Sequence, residues 1–350
     1  MVRLMPAKKP RLLLIGTGGA ISAKPIRGMW SYGEIPGEEL LKSIASILGH
    51  FEVTATNLFR MDSSDIKPEN WLTLANTIYY AMKDYDGIVV TMGTDTLAYA
   101  ASAISFLIQG NNIPIIFTGS QIPPVEIITD ARVNLRDALT LAGFGDIAET
   151  LIVFNGKIMR ATRAKKANAS ELSTFESFDP QPLGDVQQFV SINPPYRKRS
   201  NSRPVLYNKL ENDAATLKVY PGFDGKRIRN LVDYGAKGIV LEGYGVGNIP
   251  LLDNHMSEGI AYANKKNVPV IIASNSCLGR HWKRTYSAEM GNRLRGIRAI
   301  LVYDMLPETA YVKLMWVLGQ TRDYNEIERM MQKSYAGEIT PLENVKKGKK

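Results

Sequence analysis

Two hydroxyl-bearing turns hold the residues of this chain best suited to chemistry. The first is Gly16-Thr17-Gly18-Gly19-Ala20-Ile21, directly after the apolar run Leu12-Leu13-Leu14-Ile15. The second is Gly93-Thr94-Asp95-Thr96, directly after Ile88-Val89-Val90-Thr91. A hydroxyl nucleophile can attack the acyl carbon of an amide or ester, and nearby backbone N–H groups can hold the oxyanion that forms. Glycines beside the hydroxyl let a ligand approach the backbone closely. Threonine is a weak nucleophile at its own pKa and needs a base or a desolvated site. No His lies in either motif, so the base is left among Tyr, Lys, a carboxylate or another hydroxyl. Asp95 puts a carboxylate beside Thr94, and a lysine kept neutral by burial or a neighbouring cation could draw the Thr94 proton. Each turn also has a plain structural use. The first can be a tight connection, and the second can cap the helix expected from Leu97.

The elements that must position these turns alternate in type. Apolar, β-branched runs recur at Leu12–Ile15, Ile88–Thr91, Ile113–Thr118, Leu151–Phe154, Gly238–Leu241 and Val268–Ala273. Between them lie helical patterns, such as Trp71 to Met82 behind the start signal Lys67-Pro68-Glu69. Leu97–Leu107 is apolar nearly all round and predicts a buried helix, and Val133 to Leu139 opens another. Strand–helix alternation predicts an α/β fold with a parallel, doubly wound sheet, and ligands in such sheets bind outside the C-terminal strand ends. The pattern breaks at Asn193-Pro194-Pro195-Tyr196-Arg197-Lys198-Arg199 and resumes near Leu217. The expectation is therefore two doubly wound domains with mainly parallel sheets. The larger covers 1–195, a linker 196–212, the smaller domain 213–340, and a basic, disordered tail 341–350.

Several common chemistries are disfavoured. The first turn lacks the last glycine of a dinucleotide fingerprint, Ile21 standing there, and neither a P-loop nor a GxSxG elbow occurs. His50, His255 and His281 sit in no ligand spacing, so no metal site is expected. A single cysteine, Cys277, rules out an intrachain disulfide framework and suits a reducing cytoplasm. It is read as a buried core thiol. The net charge of +9 comes partly from the tail Lys346-Lys347-Gly348-Lys349-Lys350 and from Arg197-Lys198-Arg199. Without interleaved aromatics these read as solvated basic segments, not a nucleic-acid surface. No apolar run is long enough to span a membrane.

Taken together, the motifs resemble the bacterial-type L-asparaginase/glutaminase family, close to its cytosolic type I branch and its archaeal members. The likeness runs from Leu12 to about Lys333. It rests on the two threonine turns, Met61-Asp62-Ser63-Ser64-Asp65, Arg132-Val133-Asn134-Leu135-Arg136-Asp137-Ala138 and Gly245-Val246-Gly247-Asn248-Ile249-Pro250. The resemblance implies hydrolysis of L-asparagine to L-aspartate and ammonia, without metal or cofactor. It implies Thr17 as the nucleophile and Tyr32, in the stretch Gly28–Gly37 that would act as a lid, as its activator. Thr94, Asp95 and Lys166 would form a second group, with Asp95 also taking the substrate's α-ammonium. Lys165 stands one residue away and a shift of register would exchange the two lysines. Ser63 is expected to hold the α-carboxylate, with Ser64 as its register alternative. Backbone N–H groups beside Thr94 and Ala20 are oxyanion candidates. The chain departs from many relatives at Ala20, where they have Thr, and at Met92, where they have His.

A homodimer or homotetramer in the cytoplasm follows from the same resemblance. Two other functions use the same motifs. One is that of the glutamine-deamidating D-type component of a Glu-tRNA(Gln) amidotransferase. That type carries a further domain before its first motif, and the closeness of Thr17 to Met1 is expected to leave none here. The other is that of a catalytically silent module that binds asparagine.

Overall fold

The computed structural model describes residues 8–179, 181–251, 255–276 and 297–340. Cys277, His281 and the basic tail lie outside the described residues. The chain divides into two compact units, Met1–Asn208 and Lys209–Lys350.

The first unit is built on one sheet of eight strands. β1 (Arg11–Gly18) is its pivot. A small hairpin follows, β2 (Lys24–Ile26) and β3 (Met29–Ser31), turning at Arg27-Gly28 with both residues at positive φ. Helices α1 (Gly37–Lys42) and α2 (Ala45–Leu48) lead to β4 (Glu52–Met61). Next come α3 (Pro68–Ala81), β5 (Gly87–Thr91), α4 (Leu97–Leu107), β6 (Ile108–Gln109), β7 (Ile115–Thr118) and α5 (Ala131–Phe144). The sheet continues with β8 (Thr150–Phe154) and β9 (Lys157–Arg160). Outside it, β10 (Ala164–Lys166) and β11 (Phe175–Ser177) form their own pair. β12 (Gly184–Val186) and β13 (Val190–Ile192) close the far edge.

Five strands run parallel in the order β4, β1, β5, β7, β8, and β9 and β12 continue antiparallel. From β1 the chain first goes to β4 on one side and then crosses to β5 on the other. The order thus reverses at β1 and β5, which opens a crevice at their C-terminal ends. Both threonine turns leave the sheet there. The strands read as continuous apolar runs because both faces are covered, and every residue of β5 and β8 is buried. α4 is buried along almost its whole length, as its apolar circumference requires.

The expected linker is built differently from its composition. Arg197 accepts Ala148 N–H at its carbonyl and gives its guanidinium to Ala148 O. Arg199 donates to the carbonyls of Gly145, Ala142 and Asp86. Burial pushes both guanidinium pKa values down. β14 (Val205–Leu206) then pairs with β6. Residues 196–208 therefore pack as part of the first unit, and Arg197, still exposed, and Arg199, half-buried, give their guanidinium groups to carbonyls in loops and at the C-terminal end of α5.

The second unit carries four parallel strands, β15 (Ala214–Lys218), β16 (Gly238–Gly243), β17 (Val270–Ser274) and β18 (Ile300–Leu301). Its helices are α6 (Lys226–Asp233), α7 (His255–Lys265), α8 (Pro307–Gln320) and α9 (Tyr324–Gln332). α8 is core, with Val312, Leu314, Met315 and Val317 fully buried. One turn of α8 also buries Lys313, which donates to Glu338 at 2.7 Å and to the carbonyls of Met331 and Lys333.

Candidate active site

Thr17 sits where the β1–β4 pairing slips. Gly16 is opposite Asn57 and Gly18 is opposite Met61, so the register jumps across Thr17. Such irregularities re-aim a side chain. Its hydroxyl is buried and donates to Thr91 O at 3.0 Å. The two glycines behind it are dictated by space. Gly18 has φ +107, and a methyl group there would stand 2.1 Å from Met61 O. Gly19 has φ +76, and its methyl would stand 2.1 Å from Gly93 N. The two threonine turns are therefore in backbone contact, which only glycine permits.

A third turn joins them. Asp62 caps the turn Ser63–Asp65, its Oδ1 accepting from Ser64 N–H at 2.8 Å and from the Ser64 hydroxyl at 2.7 Å. Ser63 is buried against Gly93, where a methyl would come within 2.7 Å of Ser63 Oγ. Thr96, the residue before α4, donates its hydroxyl to Ser63 O at 2.6 Å. Ser63 thus stands at the junction of all three turns, and Ser64 lies at the surface with its hydroxyl turned to Asp62.

Lys166 closes the group from β10. Its Nζ donates to Thr94 Oγ1 at 2.7 Å and to Asp95 Oδ1 at 2.7 Å. Lys165 is opposite Glu176 in the β10–β11 pair and Lys166 opposite Phe175, so strand alternation sends the two lysines to opposite faces. The Asp95 side chain is 62% exposed, which leaves its carboxylate open to a cationic ligand. At that exposure the ion pair adds at most about 1 kcal/mol to stability, so its worth is positional.

Tyr32 follows β3. Gly33, just after it, is seated on Arg60, where a methyl would stand 2.6 Å from Arg60 Cα, and Gly33 N–H donates to Ser22 Oγ at 3.1 Å. This anchors Tyr32 beside the end of β4. Burial, then the charge and hydrogen bonding of Asp62, then the charge of Asp95, raise its phenol above the ordinary tyrosine value. The hairpin in front of it exposes Ile26, Met29 and Trp30, an apolar tip with a wet side.

Two contributors were given no role by the sequence, Gln121 outside every motif and Asp62 inside the Met61–Asp65 segment. Gln121 accepts the Thr94 hydroxyl at 3.1 Å. Asp62 faces Tyr32. Met92, the departure from His, is buried in the turn and gives its N–H to Thr118 O. Among the described residues no group of His, Cys, Asp or Glu has the makings of a metal site. No helix among them is long and apolar enough to cross a membrane.

The Asparaginase, N-terminal family model matches residues 11–197, and the Glutaminase/Asparaginase C-terminal domain model matches 214–331. The chain belongs to the asparaginase family. It is 37% identical to the D component of the Glutamyl-tRNA(Gln) amidotransferase of Thermococcus kodakarensis, over 97% of this chain and 79% of that one. It is 35% identical to the L-asparaginase of the same organism, over 94% of this chain and 99% of that one. Among solved structures, the thermostable L-asparaginase from Thermococcus kodakarensis superposes with a TM-score of 0.86 at 33% identity, covering 95% of this chain and 99% of its own. L-asparaginase I from Vibrio cholerae gives 0.83 at 28%, covering 95% and 100%. A probable cytoplasmic L-asparaginase from Campylobacter jejuni gives 0.77 at 26%, covering 93% and 100%.

Proposed function

We propose that this protein hydrolyses L-asparagine to L-aspartate and ammonia through an acyl-enzyme on Thr17. The observation that carries the reading is the meeting of the two threonine turns at the switch point, with Lys166 Nζ 2.7 Å from both Thr94 and Asp95. Asp95 takes the α-ammonium, and Ser63, with Ser64 beside it, takes the α-carboxylate. Fixing both ends of the zwitterion brings the side-chain amide to Thr17 and lowers the entropic part of the barrier.

In the first step Thr17 Oγ bonds to the amide carbon and the carbonyl electrons move to its oxygen. Thr17 gives its proton to Tyr32 while Tyr32 passes its own to the amide nitrogen, which leaves as ammonia. With its pKa raised, Tyr32 enters the step as the protonated phenol, so it takes the Thr17 proton only as it passes on its own. Backbone N–H groups beside Ala20 and Thr94 stabilise the oxyanion. Water then cleaves the ester at the side of Thr94 and Lys166, and Thr17 regains a proton. Closure of residues 28–37 keeps bulk water out meanwhile. The single cysteine and the Campylobacter jejuni relative support a cytoplasmic location. We place the chain in a homodimer or homotetramer, which native mass spectrometry tests.

The identity to the D components of several Glutamyl-tRNA(Gln) amidotransferases supports a second reading, glutamine deamidation. The two substrates differ by one methylene, worth about 1–3 kcal/mol in a fitted pocket. The test is kcat/KM for ammonia release from L-asparagine and from L-glutamine. A preference for asparagine of roughly tenfold or more is expected. Preference for glutamine would move the assignment to the second reading, and no release from either would leave a silent binding module.

A further inference from the structure

Gln121 leaves the sheet just after β7, and both ends of its side chain are held. Its Nε2 donates to Ala169 O at 2.9 Å, and its Oε1 accepts from Thr94 Oγ1 at 3.1 Å. A carbonyl only accepts, so the amide has one satisfied orientation, with Oε1 towards Thr94. Its backbone is held as firmly. Gln121 N–H lies 3.1 and 3.0 Å from the two oxygens of Asp130, and Ile122 N–H reaches Asp130 Oδ1 at 3.0 Å. Asp130 is buried and also accepts from Asn134 Nδ2 at 2.9 Å. Asn134, buried in turn, gives the same nitrogen to Gly119 O at 3.0 Å and receives Asn155 N–H at 2.9 Å. The Asp130–Asn134 pair is a platform for the segment Gly119–Ile122.

The hydroxyl of Thr94 has one proton and two lone pairs. An ammonium has donors only, so Lys166 occupies one lone pair. The Thr94 proton goes to Gln121. One lone pair remains. We propose that Gln121, held by Asp130 and Asn134, is a positioning residue that fixes the direction of the Thr94 hydroxyl, so that Thr94 offers the reacting group an acceptor. In the proposed reaction, on which this inference rests, that acceptor receives a hydrogen bond from the water that cleaves the acyl-enzyme. Without Gln121 the Thr94 proton is free to swing towards the water and occupy the site as a donor. The loss then falls on deacylation, while attack by Thr17 proceeds.

The experiment is stopped-flow ammonia release by Gln121→Leu, with whichever of L-asparagine or L-glutamine the wild type turns over. We expect a burst of about one equivalent per site at the wild-type rate. Steady-state turnover should then be slower by on the order of tenfold to a hundredfold. Asp130→Asn, which keeps an acceptor for the Gln121 N–H, should show a smaller slowing with a burst. It serves as the test if Gln121→Leu fails to fold by circular dichroism. Equal slowing of the first and later turnovers, or unchanged kinetics, would overturn the positioning role while leaving the amidohydrolase reading intact. A wild type that releases no ammonia from either amide would overturn both.

Discussion

At the scale of single residues, the two lysines are separated by geometry. Lys166 touches Thr94 and Asp95, while strand alternation turns Lys165 the other way. Lys166→Met should lower kcat/KM on the order of a hundredfold or more, and Lys165→Met should stay within a few-fold of the wild type. Initial rates on both variants check this, and equal losses would contradict it. The phenol of Tyr32 gives a pH prediction. Its pKa is raised, so the protonated relay persists above the ordinary tyrosine range and activity falls as pH rises through the raised value. Asp62→Asn removes the carboxylate charge that opposes phenolate. The alkaline limb of kcat should then move to lower pH, and a pH–rate profile that stays in place would refute the coupling. Thr17, Thr94 and Asp95 were legible because glycine spacing marks turns that approach a ligand. Gln121 was not, because a lone amide outside a motif says nothing until the fold sets it against a hydroxyl, and the role of Asp62 was not, because its motif drew attention to the serines that follow it.

At the scale of elements, the site is three turns brought together by backbone contact. Gly19 is the point of closest approach, the place of its absent methyl filled by Gly93 N. Gly19→Ala should separate the turns, cost about 1–3 kcal/mol through strain at positive φ, and lower kcat on the order of a hundredfold or more. Thermal melting and turnover, measured together, check it; normal activity in a stable variant would contradict it. The buried strands were legible as apolar runs and α3 to α5 as helical periods. β4 was not. It is an edge strand whose residues are partly exposed, with Thr54, Thr56 and Asn57 interrupting the apolar pattern. The β2–β3 hairpin was hidden for a similar reason, because Arg27 takes a positive φ that its side chain does not advertise.

At the scale of the molecule, strand–helix alternation predicted two α/β units, and the chain divides after Asn208, downstream of the compositional break near residue 193. The boundary itself was misleading in composition. Arg197 and Arg199 look like a solvated basic cluster until the carbonyls they serve are seen. The second unit has a feature of its own in the fully buried Lys313–Glu338 pair, which ties the segment after α9 to α8. Glu338 also accepts from the N–H groups of Tyr335 and Ala336. Glu338→Gln leaves a buried ammonium without a counter-charge and should cost about 3–5 kcal/mol. Melting should drop by on the order of 10 °C. An unchanged melting curve would show that the pair does not hold this unit.

The central claim is that Thr17 attacks an amide carbon, and ammonia release from L-asparagine by the wild type and by Thr17→Ala tests it most directly. The account predicts steady turnover by the wild type and a loss on the order of a thousandfold or more in a variant that keeps its fold and its melting temperature. Turnover by Thr17→Ala at a rate near that of the wild type would contradict it.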